Sequence, residues 1–398
     1  MKPEMPRFWD EFGEILGIMS KTEFLFQASR FNVVLPGKLA TSVTKIYSEK
    51  KKMAHKIALI GFGTVGQGLA EILHNKAAQL RQNLGFEAQI VAVCTLSKGS
   101  LYHPDGLDAG MLLNVVHNTG KFADYLDQPG LERDWPALQI IQESNADTIV
   151  EISYTDLNTG QPAIDYCRAA FESGKNVVTA NKGPVALAYQ ELAALARSNG
   201  VRWAFEGTVM SGTPAIRLPL ATLAGAEILG VRGILNGTTN YILTKMEEGL
   251  DYHTALKQAQ DLGYAEADPT ADVEGYDALS KVLILANVLM DVPLTKDDVA
   301  CQGISGLTPA DIEQARAQGR RWKLIGSVKR EGGWIKAQVA PEMLPISDPL
   351  ANIAGATNAI TYDTQLMGPI TLVGAGAGSI ETGYSILIDL INIERQNV

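Results

Sequence analysis

Residues 55–80 read HKIALIGFGTVGQGLAEILHNKAAQL. A short apolar run ends at Gly61, glycines recur at 61, 63 and 66, and apolar residues then follow at helical spacing. Strand, tight turn and helix stand in the order a dinucleotide site needs. Gly61 permits the turn, Gly63 lets a pyrophosphate approach the backbone, and Gly66 lets helix and strand pack closely. The helix N-terminus then faces the phosphates, with Phe62, Thr64 and Val65 completing the loop. A lone GxGxxG also suits a purely structural turn; its place between strand and helix makes it a candidate nucleotide site.

Working outward, QIVAVCT (89–95), ADTIVEIS (146–153), NVVTAN (176–181) and VRWAFEG (201–207) read as further buried strands. Helical runs PAIDYCRAAFESG and QELAALARSNG separate them, each closed by a glycine. This alternation implies an α/β fold with a parallel, doubly wound sheet. After Gly207 the character changes: EILGVRGILNGTTNYIL and GGWIKAQVAPEML suggest a mixed sheet with helices on one side. GPITLVGAGAGSIETGYSILIDLINI then returns to strand, glycine loop and helix. The second strand runs into Thr95, Leu96, Ser97 and Lys98, without the acid that binds a ribose 2′-hydroxyl in NAD sites. Ser97 beside Lys98 suits a 2′-phosphate, so NADP is expected and NAD stays possible. Lys98 reads equally as a solvated loop residue.

The 398 residues suffice for two domains, and a net charge of -10 argues against nucleic acid as a partner. Cys94, Cys167 and Cys301 are far apart, suggesting neither a disulfide framework nor a zinc site and fitting a cytoplasmic setting. The longest largely apolar run, Val282 to Met290, is too short for a membrane span, which needs roughly 20 residues. Residues 1–53 differ in character, with nine Lys/Arg against six Asp/Glu. They resemble neither a signal nor a transit peptide, and Met53 stands just before the first strand. This lead is expected to be poorly ordered, without a catalytic role, and translation starting at Met53 is an open alternative.

The segment GYAEADPTADVEGYDALSK (263–281) concentrates charge: Glu266, Asp268 and Asp272 on a loop, then Asp277 and Lys281 four apart on a helix. That spacing puts Asp277 and Lys281 on one face. Such a group suits a zwitterionic small molecule and leaves a lysine for proton transfer. Alone, it reads as well as an ordinary solvated ion pair. Asp268 and Asp272 divide evenly between support of a site and plain solvation.

GFGTVG, TANKGPVA (179–186), FEGTVMSGTPAI (205–216), GILNGTTNYIL (233–243), the 263–281 segment and GAGAGSIETG (374–383) occur in the order found in homoserine dehydrogenases. The chain resembles that family over about residues 54–398. The resemblance implies a Rossmann domain (54–205 with 372–398) and a central α+β domain (206–371) for substrate and dimerisation. It implies interconversion of aspartate 4-semialdehyde and L-homoserine with NAD(P)H, towards threonine and methionine, by a homodimer. Lys281 then matches the catalytic proton donor and Lys182 the second lysine. Glu266 and Asp277 match the holders of the substrate's amino group, while Gly237, Thr238 and Tyr264 line its pocket. Thr64, Val65, Thr179, Lys182, Gly263 and Gly378 line the cofactor. Glu206, Val209, Ser211 and Thr213 match a loop whose backbone oxygens bind sodium or potassium. The chain ends soon after Leu390, so neither a C-terminal regulatory domain nor feedback inhibition by threonine is expected. A catalytically silent nucleotide-binding module would be expected to lack Lys182 or Lys281; both are present.

Overall fold

A computed structural model describes residues 54 to 396; the lead, with the expectation of poor order placed on it, lies outside the described residues. The first sheet has seven strands: β1 (His55–Ile60), β2 (Ala88–Thr95), β3 (Gly99–Tyr102), β4 (Glu132–Arg133), β5 (Thr148–Glu151), β6 (Asn176–Thr179) and β7 (Trp203–Ala204). Their order is β4-β3-β2-β1-β5-β6-β7. From β2 to β7 neighbours run parallel. Apolar residues of β1, β2 and β5 are buried on both faces, as parallel sheets require.

The expectation of an all-parallel sheet is corrected at one edge, where β3 and β4 run antiparallel. The turn after β2 is too short for a crossover, which takes a dozen or more residues, so the chain doubles back as a hairpin. Thr95 Oγ1 accepts from Lys98 N at 2.8 Å, and Gly99 follows at φ 91°. VRWAFEG gives only two residues of strand. Beyond Ala204 the chain turns into a 3₁₀ helix, Glu206–Thr208, and Asp389 Oδ2 accepts from Glu206 N at 2.9 Å.

The second sheet orders as β13-β12-β8-β10-β11-β9. Its strands are β8 (Ile228–Ile234), β9 (Val299–Cys301), β10 (Arg320–Glu331), β11 (Trp334–Pro345), β12 (Thr357–Thr364) and β13 (Gly368–Ala375). It is mixed: β9 pairs parallel to β11 and the other ladders are antiparallel. Helices Gly237–Glu247 and Tyr276–Leu289 share a core with the face carrying Leu324, Val328, Val339 and Ile360.

The C-terminal unit divides between the sheets. Its strand, expected to return to the first sheet, is β13, the edge of the second, because a short turn folds it back on β12. The boundary expected at residue 372 therefore falls inside a strand. Only helix Ser379–Glu394 joins the first sheet, where it packs on helix Thr64–Leu84. The crossing is tight: a Cβ on Gly383 would lie 2.6 Å from the Gly68 carbonyl carbon. Residues 376–378 thus pass from one sheet to the other beside the first glycine turn, where Ser379 Oγ donates to Thr64 O at 2.8 Å.

Candidate active site

Beyond β8 the chain turns at Asn236, whose side chain caps helix Gly237–Glu247 by accepting from Thr239 N at 2.9 Å. Its other end, Nδ2, donates to Asp272 Oδ1 at 2.6 Å and to Asp277 Oδ2 at 2.9 Å. Asp277 lies in the first turn of helix Tyr276–Leu289, where the helix dipole favours an acid. One turn on, Lys281 Nζ donates to Asp277 Oδ2 at 2.6 Å and to Leu235 O at 2.7 Å. Lys281 is only 7% exposed, so the pair is no solvated surface bridge. From the first sheet's side comes Lys182, first residue of helix Lys182–Leu187, its Nζ 3.6 Å from Asp277 Oδ1. Two ammonium groups from different helices meet at one carboxylate.

Burial alone would raise the Asp277 pKa. The charges of Lys281 and Lys182, with hydrogen bonds from Lys281 and Asn236, overcome it and hold the carboxyl well below the usual range. Asp272 goes the other way: burial and the adjacent Asp277 charge raise it, against the pull of Asn236. The even reading of the two loop acids now separates. Asp272 is wired into the centre; Asp268 is exposed and bonds only locally, accepting from Thr270 N at 3.1 Å. Asn236 was not singled out from sequence. Its capping role was legible in NGTT, but not its grip on acids 36 and 41 residues away.

Thr238 donates to Tyr264 O at 2.6 Å, and the half-exposed Tyr264 ring lies 5.1 Å from that of Tyr241. Glu266 is exposed, and among the described residues nothing bonds to its carboxylate. At Gly237 a Cβ would lie 2.6 Å from Ala356 O, so the close approach of that backbone requires glycine there.

At the dinucleotide turn, Gly61 has φ 116°, and a Cβ on it would lie 2.2 Å from Ile152 O. A Cβ on Gly66 would lie 3.0 Å from Gly61 O. Nothing stands within 4 Å of the corresponding position at Gly63, so the backbone is open to a ligand there. The first turn of the following helix carries no acid. These features fit a pyrophosphate. Thr64 is exposed and Val65 half-buried, whereas the Phe62 side chain is buried against Phe122, leaving only its backbone for the cofactor. Thr179 is buried too, its hydroxyl donating inward to Glu151 O at 2.7 Å. Gly263 and Gly378 have φ 75° and 143°, and a Cβ on Gly378 would collide with the Glu381 carboxylate. Ser97 is exposed and Lys98 half-buried on the β2–β3 turn.

The 206–217 loop is closed on itself. The Glu206 carboxylate accepts from Ile216 N at 2.9 Å and Arg217 N at 2.7 Å, while Arg217 also pairs with Asp389. Burial raises Glu206, and lifts Asp389 to about 7 against the pull of Arg217. Met210 and Ser211 both take left-handed φ, 58° and 56°. Ser211 and Thr213 side chains bond Thr382 and Ala375 O, at 2.8 and 3.0 Å. The Glu206 carbonyl takes a long 3.4 Å bond from Val209 N and the Thr213 carbonyl one of 2.7 Å from Ala215 N. Among the described residues no donor bonds the carbonyls of Val209 and Ser211. Backbone oxygens of that kind suit a hard cation.

Residues 61–206 match the family model described as the homoserine dehydrogenase NAD-binding domain, and residues 214–391 match that of homoserine dehydrogenase. An NAD(+)-dependent homoserine dehydrogenase of Pseudomonas canavaninivorans is 48% identical over 342 residues, 86% of this chain and 96% of the relative. A crystal structure of a candidate homoserine dehydrogenase from Archaeoglobus fulgidus superposes with a TM-score of 0.77 at 40% identity, covering 86% of this chain and 99% of that one. A hyperthermophilic archaeal homoserine dehydrogenase in complex with NADPH superposes with a TM-score of 0.73 at 29% identity, covering 86% and 98%. The chain belongs to the homoserine dehydrogenase family, NAD(P)-dependent oxidoreductases that interconvert aspartate 4-semialdehyde and L-homoserine.

Proposed function

We propose that this reaction takes place between the two lysines that meet at Asp277. The supporting observation is that Lys281 and Lys182 stand 2.6 and 3.6 Å from the same carboxylate, each brought there by a different part of the fold. When bound, the nicotinamide supplies or accepts the hydride. Hydride arriving at the aldehyde carbon leaves negative charge on oxygen. Lys281, aimed by Asp277 and Leu235 O, hands that oxygen a proton, a role that typically gives about 10²–10⁴-fold. Lys182 stabilises the same oxygen electrostatically. In the reverse direction, a neutral Lys281 takes the hydroxyl proton. The Asp277 Oδ2 is already filled by Lys281 and Asn236, so we assign the substrate's amino group to Glu266 and give Asp277 the task of holding the lysines. Thr238, Tyr264 and Gly237 shape the pocket around it.

The GFGTVG turn would hold the cofactor, with Gly263 and Gly378 lining it and Ser97 and Lys98 meeting a 2′-phosphate. NADPH is thus the preferred form, unlike the cofactor in the name of the Pseudomonas canavaninivorans relative. The carbonyls of Glu206, Val209, Ser211 and Thr213 would hold a sodium or potassium ion. Residues 54–205 with the C-terminal helix form the dinucleotide domain, and the remainder forms the substrate domain. The exposed Leu366, Met367 and Val373 at the β12–β13 hairpin support a homodimer through the second sheet. Three unpaired cysteines favour a cytoplasmic setting. Among the described residues no helix is long and apolar enough to cross a membrane.

Oxidation rates of NADPH and NADH with aspartate 4-semialdehyde test the cofactor assignment. NADPH is expected to win, and Lys98→Ala to cut the NADPH/NADH preference by at least about tenfold, the value of one charge-assisted hydrogen bond. A wild-type preference for NADH would overturn it.

A further inference from the structure

Glu151 ends β5, and the centre described above does not use it. Its side chain is 0% exposed. Oε1 accepts from Ser153 N at 3.0 Å and from the Ser153 hydroxyl; Oε2 accepts from the Thr179 hydroxyl at 3.1 Å. Among the described residues no lysine, arginine or histidine pairs with it. The ionisable groups that feel its charge, Tyr166 and Cys167 of helix Ala163–Glu172, are neutral at pH 7, and burial raises both. Burial, the larger influence, raises the Glu151 pKa, while four hydrogen bonds favour the charged form: two from Ser153 and one each from Thr179 and Asn181. A buried carboxylate is normally matched by a cation.

The position of this carboxyl group, with no cationic side chain beside it among the described residues, is informative. On one side, β5 lies against β1, and the carbonyl of the next residue, Ile152, occupies the space a Cβ would need at Gly61. On the other side Thr179 ends β6, its oxygen accepting from Asn181 N at 2.9 Å. Asn181 caps the helix that begins at Lys182, accepting from Gly183 N at 3.1 Å. The carboxylate therefore lies below the carboxyl ends of β5 and β6, between the dinucleotide turn and Lys182. In a doubly wound sheet that side of β1 carries the second mononucleotide half, which serves the nicotinamide end of the cofactor.

We infer that Glu151 is the counter-charge for the oxidised nicotinamide ring and biases the site towards NAD(P)⁺ over NAD(P)H. The two forms differ by one positive charge on that ring. The inference rests on the cofactor lying across the GFGTVG turn.

The test is titration of the full chain with NADP⁺ and with NADPH, without substrate, followed by calorimetry. Glu151→Gln keeps the side chain's shape. NADP⁺ affinity is expected to fall about tenfold while NADPH affinity stays within about twofold, as for a unit charge acting through a partly screened interior. Equal losses for both forms, or no change in either, would overturn the inference. A wild-type chain that binds neither form would sink the cofactor placement instead, and the inference with it. Glu151→Asp keeps the charge and is expected to keep the NADP⁺/NADPH ratio near that of wild type. Should Glu151→Gln not fold, Ser153→Ala combined with Thr179→Val strips two donors from the carboxylate and is expected to move the ratio the same way. An unmoved ratio there is equally contrary.

Discussion

The dinucleotide turn and the lysine centre are built by opposite means. At residues 61–66 side chains are left out: a Cβ on Gly61 would strike Ile152 O, and the space over Gly63 is open. At Asn236, Asp272, Asp277 and Lys281 side chains are packed in, and one amide holds two carboxylates while a third group, the ammonium, neutralises one of them. The first site depends on backbone shape and the second on buried charges being matched. Damage to the two should therefore look different.

The largest effect is expected within the turn itself. Gly61→Ala puts a side chain into backbone at φ 116° and should cost at least about 3 kcal/mol, seen as loss of folded protein or a large drop in Tm. Gly63→Ala, at φ -81° with nothing within 4 Å, should melt like wild type yet bind NADPH poorly. Equal Tm losses in the two variants would erase the distinction drawn between these glycines.

Next comes the hub. Asn236→Ala leaves Asp272 and Asp277 without their shared donor and helix Gly237–Glu247 without its cap. Denaturant unfolding should show a loss of about 1–3 kcal/mol. NADPH binding should hardly change. A variant as stable as wild type would mean that the acids find other partners.

The smallest effect concerns pH. The folded pKa of Asp277 lies below the unfolded value of about 3.9. Its ion pairing therefore contributes in full above that value and is lost as pH falls below it. The stability gap between wild type and Asp277→Asn should stay constant from about pH 8 to about pH 5 and narrow below about pH 4. A gap that closes near neutrality would show that the lysines do not hold the carboxylate charged.

The same contrast explains what could be read from sequence. Glycine spacing is a backbone property and is local, so the turn, its strand and its helix were legible from residues 55–80. Asp277 and Lys281 were legible as one helix face. Lys182 was identified through family resemblance, and its approach to Asp277 depends on how two sheets meet, which no local pattern carries. Asn236 escaped for the same reason, and Asp272 was legible only as an acid divided evenly between support of a site and solvation. The C-terminal strand misled because strand, glycine loop and helix look alike whichever sheet the strand joins. β3 was missed because GSLY offers only four residues.

The central claim is that Lys281, held by Asp277, moves the proton. It is tested most directly by measuring kcat for NADPH-dependent reduction of aspartate 4-semialdehyde by Lys281→Ala, with NADPH affinity measured on the same sample. The account predicts a fall in kcat of at least about 10²-fold with NADPH affinity nearly unchanged. A kcat close to wild type would contradict it and pass the proton to Lys182 or to water.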